Sequence, residues 1–176
     1  MTAAVFVDTN VFLYARQTDE PLKQSIAEQW LGRLWEEHSG RTSIQVLNEY
    51  YWNATRKLKP VLSPDEAWTR VQRLLNWDPQ AIDSEVLRRA HDIERRYRLN
   101  WWDSLIVGAA QTQSCVLLLT EDLQDRAVYG GVTVRNPFTL GVSEAAAEYA
   151  GAPAAARRYR PRGRPHGPRR IAAEAP

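Results

Sequence analysis

At 176 residues, 44% of them hydrophobic and seven of them tryptophan, the chain suffices for one well-filled domain and is too short for several. Its one cysteine, Cys115, excludes an intrachain disulfide, and a formal net charge of +2 excludes a uniformly basic or acidic polyelectrolyte. No apolar run reaches bilayer-crossing length, and Asp8 interrupts the first apolar segment before it could act as a secretory signal, so no membrane role is expected and a reducing, cytoplasmic setting fits.

Residues 4–7, AVFV, predict a short strand buried on both faces, since β-branched and aromatic residues follow one another without polar alternation. TNVFLYA then begins a helix, with Asp8 or Thr9 near its N-terminal end. After the TDEP break, LKQSIAEQWLGRLWEE sets Ile26, Trp30, Leu31 and Leu34 on one helical face. Around SGRTS the chain turns through a brief strand, and Ser43 is placed to cap the helix IQVLNEYYWNATRKL. Pro60 and LSPDEA mark a break and a new capped helix that runs to about Leu75. DSEVLRRAHDIERRYRL predicts a charged amphipathic helix with Val86, Leu87, Ala90 and Ile93 inward. NWWDSLIVGAAQTQ, dense in small and aliphatic residues, predicts a central helix.

CVLLLT is a second strand buried on both faces, with Cys115 a small buried residue rather than a reactive thiol. EDLQDRAVYGG reads as loop and turn, and VTVRNPF as a last short strand ended by proline. Strands alternating with helices, without hairpin signals, predict an α/β fold: a three-layer sandwich whose mostly parallel central sheet is flanked by helices. The expected organisation is a folded domain over 1–140 and an Ala/Arg/Pro-rich tail over 141–176, largely disordered. Charge is uneven along the chain. Of the 23 basic residues, seven are arginines beyond Gly151, where Glu174 is the one acid, so positions 1–150 carry 16 basic and 20 acidic side chains. A tail of that kind either stays solvated or meets a polyanion.

In a parallel α/β sheet, ligands bind beyond the carboxyl ends of the strands. Asp8 directly follows the first strand, and Asp122 follows CVLLLT with one residue between. Asp103 lies in the first turn of the WWDSLIV helix, above the apolar positions Val107 and Ala110. Glu49 lies among apolar and aromatic neighbours in VLNEYYW. Each has an ordinary explanation: Asp8 a helix cap, Asp103 a dipole partner three residues after a capping Asn100, Asp122 a turn residue, Glu49 a solvated acid. Together they would need four separate explanations.

The blocks VFVDTNVFLYA, SIQVLNEYY, WWDSLIVGAA and LLTEDLQD…GGVTVRNPF resemble the motifs of PIN-domain nucleases, in particular VapC-type toxins of toxin–antitoxin pairs, in family order over residues 4–138. The resemblance implies that the family's four metal-binding acids fall on Asp8, Glu49, Asp103 and Asp122, its strand-end hydroxyl on Thr120, and a polar residue that orients Asp8 on Asn10. Asp125 is either an outer acid of that set or an exposed turn residue. Four anions brought together repel one another and raise some pKa values, and hard divalent cations relieve the repulsion. Oxygen-only ligands suit Mg²⁺ or Mn²⁺ rather than zinc. Asp8 and Asp103 are then direct ligands, Asp122 a ligand to the same or a second ion, and Glu49 a ligand through water or the group that orients the attacking water. His38, His91 and His166 stand outside this picture.

The implied activity is metal-dependent cleavage of RNA phosphodiester bonds by a toxin that forms a homodimer and is held by a small antitoxin protein. Because an acidic pocket repels nucleic acid, flanking cations must supply phosphate contacts, and Arg88, Arg89, Arg95, Arg96 and Arg98 are candidates. Trp101 and Trp102 could stack on bases, but in this setting are expected to pack beneath the site. The apolar surplus of LKQSIAEQWLGRLWEE and VLNEYYWNATRKL could signal an interface. Three readings compete with this one. A catalytically silent PIN-like module binding RNA or protein needs no intact acid set, whereas all four acids are present. A phosphatase with Asp8 as nucleophile usually wants a second Asp two residues on, where this chain has Asn10, and a receiver domain needs a later lysine, whereas none follows Lys59.

Overall fold

The computed structural model describes residues 3–139. In chain order the elements are β1 (Val5–Val7), α1 (Thr9–Tyr14), α2 (Pro21–Glu36), β2 (Gly40–Arg41), α3 (Ile44–Ala54), α4 (Pro64–Leu74) with a 3₁₀ turn at Leu75–Trp77, α5 (Ser84–Tyr97), α6 (Trp101–Thr112), β3 (Leu117–Leu119), β4 (Val128–Tyr129) and β5 (Val132–Arg135). The sheet order is β2-β1-β3-β5-β4. β1 pairs in parallel with β2 and β3, β3 in parallel with β5, and only β4 runs antiparallel, beside β5. This is the α/β sandwich expected from the alternation of strands and helices.

β1 and β3 are buried along their whole length because helices cover both faces of the sheet. Their register, Val5 with Leu117 through Val7 with Leu119, brings the ends of both strands level. Asp8 and Thr120, each the residue after its strand, are therefore neighbours despite their distance in sequence. α5 packs along α6 so closely that a side chain on Gly108 would stand 3.3 Å from the Val86 carbonyl oxygen and the Ala90 nitrogen. That contact fixes α6, whose residues Ser104–Ala110 are buried, and with it the Asp103 that α6 carries.

Three expectations need correction. The VYGGVT segment is a β-hairpin: Gly130 and Gly131 take positive φ angles of 58° and 102°, and the turn they make returns β4 onto β5. The helix after Ser43 ends at Ala54 rather than near Leu58. The amides of Arg56, Lys57 and Leu58 all donate to the Asn53 carbonyl, the chain folds back, and Leu58 returns to the core. Leu87 is 42% exposed rather than inward, since Val86, Ala90 and Ile93 already fill the face that α5 turns to α6.

The predicted caps appear. Ser43 accepts from the Val46 amide, and Ser63 forms a reciprocal capping box with Glu66 that sets the start of α4. Residues 140–176, which include the whole expected tail, lie outside the described residues. Among the described residues no helix is long and apolar enough to cross a membrane.

Candidate active site

Asp8 caps α1: its Oδ1 accepts from the Thr9 amide at 2.7 Å, and its Oδ2 accepts from Thr120 Oγ1 at 2.7 Å. It is 8% exposed. Burial disfavours its charge; the hydrogen bonds from Thr120 and Thr9 offset part of that, the Asp122 and Glu49 carboxylates add to it, and its pKa is raised to about 7. A helix cap alone does not need this, because exposed caps hold the same amides at no such cost.

Thr120 and Asn10 join the two strand ends. Asn10 Nδ2 donates to Thr120 Oγ1 at 2.9 Å and to Asp122 Oδ2 at 3.0 Å, and stands 3.5 Å from Asp8 Oδ2. Thr120 Oγ1 also accepts from the Asp122 amide at 3.1 Å, which turns the chain after β3 so that Asp122 flanks Asp8. Asn10 therefore ties Asp122 to Thr120 more directly than it orients Asp8.

Glu49 reaches the same place from α3: Thr9 Oγ1 donates to its Oε2 at 3.1 Å, and Gln45 Nε2 to its Oε1 at 3.0 Å. Asp103 arrives from α6, where Asn100 caps the helix by accepting from the Asp103 amide and donates to Asp103 Oδ2. Half-buried Asp103 has its pKa raised, first by burial and then by the Asp122 and Glu49 charges, against the hydrogen bond from Asn100. Every member of the predicted set thus feels, or is felt by, another: Asp122 and Glu49 act on both Asp8 and Asp103. As the side chains are placed, no group of three His, Cys, Asp or Glu among the described residues is arranged to hold a metal ion.

The chemistry of the donors nonetheless fits a hard cation. All four are carboxylates, two have proton affinities raised in the absence of a counter-charge, and two neighbouring amide oxygens, Asn10 Oδ1 and Gln45 Oε1, are buried without a hydrogen-bond partner. Unpaired acceptors beside carboxylates want donors, which the water shell of a divalent ion supplies.

Residues outside the predicted set also shape the site. Glu121, between Thr120 and Asp122, is neutralised by Lys23 at 2.7 Å, which also donates to Tyr14 Oη and lies over the Phe138 ring. Gln45, 8% exposed, supports Glu49. Its spacing of four before Glu49 on a helix was the signal available in the sequence. Asp125 is half-buried rather than exposed in its turn: it accepts from the Asn136 amide at 2.8 Å and pairs with the buried Arg135 at 3.2 Å. Trp102 does not pack beneath the site; it is 64% exposed, while Trp101 packs partly buried against the core. Cys115 is buried and its thiol pushed up to about 12 by that burial, which rules out thiolate chemistry.

By sequence, the PIN domain family matches over residues 5–130. A comparison with curated proteins gives no match. Among solved structures, a toxin–antitoxin complex from Klebsiella pneumoniae is similar, at 20% identity and a TM-score of 0.54 over 77% of this chain and 98% of that one. VapBC2 from Rickettsia felis, bound to a DNA fragment from its promoter, is similar at 14% identity and a TM-score of 0.56, over 76% of this chain and 98% of that one. At these identities the likeness concerns the fold.

Proposed function

The chain belongs to the PIN domain family, and on that premise we propose that it is an endoribonuclease dependent on Mg²⁺ or Mn²⁺ that serves as the toxin of a toxin–antitoxin pair. What supports this reading is that Asp122 and Glu49 both act on Asp8 and on Asp103 across the ends of β1 and β3, with the Asp8 pKa raised to about 7. Asp8 and Asp103 would hold the ion directly, with Asp122 beside them. When bound, such an ion lowers the pKa of a coordinated water and offsets charge that builds on a phosphodiester. Glu49, held by Thr9 and Gln45, can accept a proton from an attacking water and orient it. Thr120 and Asn10 keep Asp8 and Asp122 in fixed relation.

The similarity to two toxin–antitoxin assemblies supports a small antitoxin as partner. Exposed Trp35, Ile44, Trp52 and Trp68, on α2, α3 and α4, leave apolar surface for it or for a second copy. A second reading, a silent PIN-like module that binds RNA or protein, is favoured by one observation: the carboxylates as placed do not close around an ion.

Incubation of the full chain with structured RNA separates the two. Cleavage should appear with Mg²⁺ or Mn²⁺ and vanish in EDTA; bound but uncut RNA would favour the silent module. Growth arrest on expression, relieved by a small co-expressed neighbour protein, would support the toxin role.

A further inference from the structure

We propose that Trp102 is a base-stacking residue at the mouth of the site, taking an unpaired nucleobase of the RNA next to the phosphate that is cut. This rests on the nuclease reading for its substrate.

Trp102 is 64% exposed, in the first turn of α6, immediately before Asp103. Among the described residues its ring has no aromatic or cationic neighbour. Trp52, by contrast, carries Arg56 at 3.6 Å from its ring centroid, and Trp35 lies against Trp77. Trp101 packs partly buried against the core, and successive helical positions lie about 100° apart, so Trp102 is turned out of it.

The backbone that carries this ring is tied to the site. Gln45 Nε2, which donates to Glu49 at 3.0 Å, lies 3.4 Å from the Trp102 carbonyl oxygen. The amide of one buried glutamine thus links the Trp102 backbone to Glu49, while Asp103 follows in the chain. A base held on this ring would thus stack on a residue whose backbone is linked to Glu49 and adjoins Asp103.

The segment leading into α6 carries charge of the right sign. Arg89 is bound to Glu85 at 2.7 Å and Arg88 to Ser84, so both are used within α5. Arg95 and Arg98 are exposed, and neither makes an ion pair among the described residues. Arg98 ends α5 in the left-handed region at φ 58°, four residues before Trp102. An aromatic face with free guanidinium groups close by in the chain is the pairing that holds single-stranded nucleic acid. A base can stack on an exposed ring only when its own face is free, so a looped or single-stranded segment is the substrate, not a duplex.

The test uses the full chain and a short labelled single-stranded RNA. Anisotropy is read in EDTA so that nothing is cut, and steady-state cleavage is read in Mg²⁺. Trp102→Ala should weaken binding and raise KM about tenfold, with a smaller change in kcat, while Trp102→Phe keeps most of the affinity. An abasic nucleotide at the stacked position should erase the difference between wild type and Trp102→Ala. Unchanged melting temperature in Trp102→Ala would show that folding is not what was lost. Equal RNA affinity in wild type and Trp102→Ala, or an equal loss on abasic RNA, would overturn the assignment. So would an effect confined to self-association or to a protein partner. If wild type binds this RNA through Trp102 but cuts neither it nor structured RNA in Mg²⁺, the nuclease reading fails, and with it the position beside a cut phosphate, while base stacking on Trp102 stands.

Discussion

Asp8→Asn should lower RNA cleavage at saturating Mg²⁺ by about 10²–10³-fold or more while leaving the chain folded. Asparagine caps helices as well as aspartate does, so the Thr9 amide that Asp8 now satisfies keeps an acceptor and α1 keeps its start. The substitution removes the charge and the oxygen that accepts from Thr120 Oγ1, and leaves the cap in place. Asp103→Asn is the parallel case: Asn100 still accepts from the amide at position 103, so the α6 cap survives while a second negative oxygen is lost. Initial rates beside far-UV circular dichroism check both variants. Full activity in either would remove that carboxylate from the reaction.

Metal-free protein should lose stability as pH rises from about 4 to 8, and Mg²⁺ or Mn²⁺ should restore it at the alkaline end. Folded Asp8 keeps its proton up to about pH 7, whereas an unfolded aspartate releases it near 4, so between those values the folded state binds the extra proton. Stability attributable to Asp8 therefore falls through that window and is fully lost above it, the direction opposite to that of a salt-bridged aspartate. The gap between about 4 and about 7 corresponds to about 4 kcal/mol, on the order of 10 °C in melting temperature for a domain of this size. Asp103, also raised, adds in the same direction. A divalent ion replaces the proton, so its stabilising effect should be greater at pH 8 than at pH 5. Differential scanning calorimetry with EDTA or Mg²⁺ at the two pH values measures this, and a metal effect independent of pH would contradict it.

Much of this arrangement was legible in the sequence, because short doubly buried strands leave a plain trace. AVFV and CVLLLT marked β1 and β3, and an acid just past each marked the sheet edge where ligands bind. The helix caps Ser43, Ser63 and Asn100 were visible for the same local reason, a short polar side chain just ahead of a periodic segment. What escaped depended on contacts between distant residues. Lys23, 98 positions before Glu121, neutralises it, and nothing local announces that pair. Asp125 read as either an outer acid of the site or an exposed turn residue, and its pairing with Arg135, ten positions on, had no local signal. Gly130–Gly131 was a turn signal, but the flanking strand at Val128–Tyr129 is only two residues long, too short for a period to show. Trp101 and Trp102 are alike by composition, and only the docking angle of α6 decides which of them is buried.

Titration of Mn²⁺ into the full chain, with free ion counted by electron paramagnetic resonance, is the most direct measurement of whether these carboxylates form a metal centre. Wild type should bind at least one ion per chain, with Asp8→Asn and Asp103→Asn each binding at least about tenfold more weakly. Folded wild type that leaves all the manganese free, or variants that bind as wild type does, would contradict the account.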